Sequence, residues 1–251
     1  MLKNIFRKRN MATLIILLLV LVVISLTISF APLTPVTKSS LIRLARTYFN
    51  LPVNDYSIAF AFFAIELPPF IALFASVMVA TIPQKTILYE RTSGNMEILL
   101  SNYGNVRSIA LALMLASIVS SLVIYLIFTG VGLATIFLYQ VVYHTYFEFP
   151  RVFYILMFLL TPLLILLSVS ISLLLTVMFP VFSSIETYTL SSNPLVIVSY
   201  LPSLIVVFLI TLLPLSPEDL VKILVLPVIA VLLLTLILAR RCMKRDVLVR
   251  K

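Results

Sequence analysis

The chain reads as an all-α membrane protein that crosses the bilayer six times. Three properties of the sequence say so. Its 251 residues are 62% hydrophobic and 11% charged, whereas a soluble domain is roughly half apolar and about a quarter charged. The apolar residues fall in long runs, and six of these reach the ~20 residues that a helix needs to cross the hydrocarbon core. Lys and Arg gather in the short polar connections between the runs, as positive-inside topology requires.

The six predicted spans are residues 11–31, 58–83, 108–138, 152–179, 195–214 and 220–239. The first follows KNIFRKRN and resembles a secretory signal, but its apolar run is longer than a usual signal core and no small-x-small cleavage pattern precedes Pro32. It is read as a retained span. Residues 32–57 carry Pro32, Pro35 and Pro52, and within them Leu41, Leu44, Ala45 and Tyr48 recur at helical spacing opposite Arg43, Arg46 and Thr47. A short external helix lying in the interface is expected there. As one helix, 108–138 would be ~46 Å long against a core of ~30 Å. It must therefore tilt, or break near Gly130 and Gly132. Residues 180–194 form a loop with Glu186 as its one charge, and LPLSPED at 213–219 is a tight hairpin. No soluble domain interrupts the pattern, so 1–251 is expected to be a single transmembrane domain.

Orientation follows from the basic residues. With the N-terminus inside, the cytoplasmic segments hold thirteen: Lys3, Arg7, Lys8, Arg9, Lys85, Arg91, Arg107, Arg240, Arg241, Lys244, Arg245, Arg250 and Lys251. The external segments hold five: Lys38, Arg43, Arg46, Arg151 and Lys222. Both termini are thus expected in the cytoplasm of a cell-membrane protein.

Several chemistries are disfavoured. The net charge of +9 sits beside apolar runs, where topology explains it better than nucleic-acid binding. One Cys, Cys242, forms no internal disulfide, and one His, His144, builds no zinc cluster. His144 lies among Tyr143, Tyr146 and Phe147 in an expected aromatic belt. Ser168, Ser170 and Ser172 alternate along the fourth span, which suits helix packing through small residues rather than a catalytic array. Glu66 is the one ionisable residue well inside a span. Pro68 and Pro69 lack N–H groups and release the carbonyls of Ala64 and Ile65 beside it. Glu66 is therefore either a protonated, locally satisfied carboxyl or a contact on a translocation path.

The stretch YERTSGNMEILLSNYG, residues 89–104, is the most informative connection. Taken as one helix, Glu90, Gly94, Glu97 and Ser101 share a face, while Met96, Leu99, Leu100 and Tyr103 share another. Gly94 weakens the helix, so it marks a break or the close approach of another backbone. An acidic face is disfavoured against an anionic inner leaflet, where basic residues gain about 1 kcal/mol each. A protein partner accounts for it better.

The run ERTSGNMEILLSNYGNVRSIALALML resembles the E-R-x-x-G-x-x-E-x-L-L-x-x-P-x-x-R segment of ABC-2 type permeases, the membrane subunits of ABC transporters. Glu90, Arg91, Gly94, Glu97, Leu99, Leu100 and Arg107 match, while Asn95-Met96 and Tyr103-Gly104 depart from the pattern. The six spans, the basic N-terminal run and the tail ARRCMKRDVLVRK are also similar to that family. The resemblance implies a cytoplasmic coupling helix between spans two and three that docks on a separate ATP-binding subunit. It also implies a second permease copy, with a homodimer simpler than a heterodimer. The chain's four glycines (Gly94, Gly104, Gly130, Gly132) supply no phosphate-binding loop, so the partner would bind ATP and the chain itself is not expected to be an enzyme. An ATP-independent secondary transporter or channel is the alternative, and an intramembrane enzyme a third reading. Substrate is not legible beyond a preference for lipid-like, amphipathic, peptide or drug-like molecules.

Overall fold

The computed structural model describes residues 55–92, 94–95, 98, 101–102, 106–143, 149–179, 194–212 and 217–242, together with Ala12, Ile15, Ile16, Leu19, Val20, Val23, Ile42 and Arg46. Among them the secondary structure is helical, with no strand. We number the helices α1 (Asp55–Val79), α2 (Thr81–Thr92), α3 (Val106–Tyr143), α4 (Arg151–Met178), α5 (Pro194–Leu212) and α6 (Pro217–Cys242). Four helical stretches are long and apolar enough to cross a membrane: Phe63–Ile87, Leu111–Val142, α4 and Val221–Cys242. The apolar part of α5, Pro194–Ile210, is shorter, at ~26 Å against a core of ~30 Å. The expected first span and external helix lie outside the described residues, apart from the eight helical positions between Ala12 and Arg46.

One expectation changes, and one pair of alternatives is decided. The 58–83 span is not one rod, because α1 stops at Val79, Ala80 turns, and α2 starts at Thr81. Pro83 is the cause: it has no N–H for the Val79 carbonyl, and its ring clashes with that carbonyl in a straight helix. By contrast, α3 continues through Gly130 and Gly132 for all 38 residues, ~57 Å of helix. A Cβ on Gly132 would lie 2.8 Å from Ile71 Cδ1 and 3.3 Å from both Leu67 methyls. That glycine lets α3 approach α1, while a Cβ on Gly130 would meet nothing within 4 Å.

The helix directions follow from particular contacts. Phe60 packs on Tyr139 with ring centroids 5.3 Å apart, and further along α1 Leu67 and Ile71 meet Gly132, so α1 and α3 are antiparallel. Thr161 Oγ1 donates to the Pro68 carbonyl at 3.0 Å and Ser172 Oγ to the Ala80 carbonyl, so α1 and α4 are parallel. On α6, Thr235 meets Ser170 at 2.7 Å, and the same helix also touches the first turn of α4. An antiparallel α6 would end before reaching that turn. The C-terminal ends of α1, α4 and α6 therefore share one end of the bundle.

At the centre stands α4, in contact with α1, α2, α3, α5 and α6. Its Leu156, Leu160, Leu164 and Leu167 pack with Val228 and Leu232 of α6, while Ile165, Val169 and Leu173 join a larger cluster with α1 and α3. That position explains why Ser168, Ser170 and Ser172 are all buried although they point in different directions. On α6, Glu218 and Asp219 open the helix and Arg240 and Arg241 close it, which complements the helix dipole at both ends.

Candidate functional site

The matched segment begins on a helix rooted in the core. Along α2, Gln84 and Ile87 are buried, Lys85 is exposed, and the helix touches both α3 and α4. Glu90 and Arg91 belong to its last turn. The chain then turns at Gly94, where φ is +73°. Glycine takes this left-handed backbone without the Cβ clash that other residues suffer. A Cβ there would meet nothing within 4 Å, so Gly94 is a break rather than a site of close approach. Helix resumes at Asn95, with the Ile98 N–H donating to the Gly94 carbonyl at 3.3 Å and Ser101 Oγ to the Ile98 carbonyl at 2.9 Å.

This geometry corrects the single acidic face. Glu90 and Ser101 stand on separate helical pieces, and the periodicity that aligned them needs an unbroken helix. Glu97, Leu99 and Leu100 lie outside the described residues, and Arg107 belongs to the first turn of α3.

Glu66 is far from this segment along α1 and is 2% exposed. It lies two residues before Pro68, whose carbonyl receives the Thr161 hydroxyl. The sequence reading did not single out Thr161, whose signal was its place immediately before Pro162. Nor did it single out Ser76, which meets Ser203 of α5 at 2.8 Å, or Tyr125, whose hydroxyl donates to the Met157 carbonyl at 2.9 Å. Hydroxyls of this kind sit where helices must touch, because lipid and apolar core attract apolar side chains about equally.

Among the described residues, no three His, Cys, Asp or Glu side chains group to hold a metal ion. The buried polar residues among those described are a carboxyl, an amide and hydroxyls dispersed over all six helices. Such a set can join helices and re-satisfy carbonyls. Compared with known proteins, the chain matches no family model, no curated protein and no solved structure.

Proposed function

We propose that the chain is the permease subunit of an ABC-2 type transporter. In this reading it crosses the cell membrane six times with both termini inside, and pairs with a second copy. It exports a lipid-like, amphipathic, peptide or drug-like substrate with energy from a separate ATP-binding subunit. The observation that carries the reading is the match of Glu90, Arg91, Gly94, Glu97, Leu99, Leu100 and Arg107 to the family segment. The course of α2 supports it: one end is buried against α3 and α4, and the other leads into the matched residues. A push on the Glu90 end would be delivered to the central helix. Orientation gains support from Lys85, Arg240 and Arg241, which belong to helices sharing one end of the bundle.

The decisive experiment is co-purification with the cognate ATPase. Glu90→Lys with Glu97→Lys should weaken assembly, since like charges replace opposite ones. Gly94→Trp tests the same surface but strains the backbone as well, so Gly94→Asn, which tolerates positive φ, is the paired variant. Docking at Gly94 predicts loss with Trp and retention with Asn. If the Glu variants and Gly94→Trp all keep the ATPase as fully as Arg43→Glu does, the segment is a connector and the proposal fails.

The burial of Glu66 favours the second reading, an ATP-independent transporter using a protonatable carboxyl. An ABC permease with a locally satisfied, protonated Glu66 predicts only a mild transport defect for Glu66→Gln. Complete loss of transport with normal expression would favour the second reading instead.

A further inference from the structure

Inside α4, residues Leu156–Leu160 form a π-helical turn. The Thr161 N–H reaches back five residues to the Leu156 carbonyl, as a π turn does. In an α register it would donate to Met157. The Met157 carbonyl receives the Tyr125 hydroxyl of α3 instead, at 2.9 Å.

Pro162 explains the need for this substitution. Its missing N–H could serve neither Met157 in a π register nor Phe158 in an α register, and a straight helix would press its ring against the Phe158 carbonyl. A bulge relieves that clash but leaves Met157 short of a backbone donor. In a core without water an unsatisfied carbonyl costs several kcal/mol, and Tyr125 removes that cost. Thr161 Oγ1 adds a further tie, since its one proton lies within reach of both Leu156 O at 2.9 Å and Pro68 O of α1 at 3.0 Å. The turn is thus held by side chains from its neighbours.

We propose that residues 156–160 are a register switch in the central helix, kept in the π state by the Tyr125 hydroxyl and by Pro162. The proposal needs no ATPase and stands apart from the permease reading. On conversion to α register, the turn before the joint rotates by about 100° and shifts by about 1.5 Å relative to the rest of α4. In the π state Val152 and Phe153 are buried, at 5% and 1% exposure, while Tyr154 is 49% exposed. An α register running back from Leu164 through Leu160 and Met157 keeps Phe153 on the buried line. It carries Val152 outward and Tyr154 inward. The aromatic group of Phe149, Phe153, Tyr154 and Phe158, joined by stacked and edge contacts, would be re-sorted by the same motion, at the end of the bundle opposite α2.

The test uses the full chain with Cys242→Ser, carrying either Val152→Cys or Tyr154→Cys, purified in lipid nanodiscs and labelled with N-ethylmaleimide. With Tyr125 and Pro162 intact, Cys at 154 should react faster than Cys at 152. Tyr125→Phe removes the donor but keeps the ring, and Pro162→Ala restores an N–H; each should narrow the difference. Together they should reverse the order. An unchanged order in the double variant, or equal acceleration at both positions through general loosening, overturns the switch.

Discussion

Helices α4 and α6 are almost equally greasy, yet they live differently. In the most apolar stretch of each, 61% of α4 is buried and 17% of α6. Apolar content therefore does not distinguish the central helix from the peripheral one. Small polar residues do, because a Leu side chain gains little by exchanging lipid for core, whereas a Ser lets helices approach and bond. Thr161, Ser168, Ser170, Ser172 and Thr176 are all buried on α4, and Thr235 is the buried hydroxyl of α6, facing α4.

The largest effect expected from this contrast comes from overfilling each helix. Ser172 is 0% exposed and bonds to the Ala80 carbonyl, so Ser172→Leu should cost about 3 kcal/mol through overpacking and the lost hydroxyl. Leu234→Phe on α6, at a 56% exposed position, should stay within about 0.5 kcal/mol. Unfolding midpoints in detergent compare them. Equal losses would mean that the α6 face is covered by a partner chain rather than lipid.

A sharper version uses two glycines on one helix. Gly132→Leu must displace Ile71 and Leu67 and should destabilise by about 1–3 kcal/mol. Gly130→Ala meets open space and should stabilise by up to about 1 kcal/mol through helix propensity. The same unfolding midpoints read both, and a stabilising Gly132→Leu would refute the close approach of α1 and α3.

The smallest expected effect joins the two helices directly. Ser170 and Thr235 meet at 2.7 Å, and a double-mutant cycle with Ser170→Ala and Thr235→Val should give a coupling of about 0.6 kcal/mol. Zero coupling would leave α6 held to α4 by its apolar contacts alone.

The positions of the long helices could be read in advance because runs of Leu, Ile and Val persist for the length of a bilayer. Their ends fell within a few residues of 151–178, 194–212 and 217–242. The joint at Ala80 was missed because Pro83 sits at the polar edge of the span, where a proline looks like the end of a helix rather than a kink in one. Gly132 was read as a candidate break; only the neighbour across the gap, Ile71, reveals it as a contact. Gly94 was legible as a special position but not as to kind. Its positive φ depends on where the chain must go next. Tyr125 and Thr161 were invisible for another reason: each serves a carbonyl on a different helix, and no local periodicity encodes a partner 32 or 93 residues away.

The Ser172 bond also sets a schedule for biogenesis. The carbonyl at the Ala80 joint is served by a hydroxyl made 92 residues later, which at about 5–20 residues per second means a wait of roughly 5–18 s during synthesis. Through that interval α1 and α2 exist without the helix that completes their junction. Until α4 arrives, the Ala80 carbonyl has no Ser172 hydroxyl to receive.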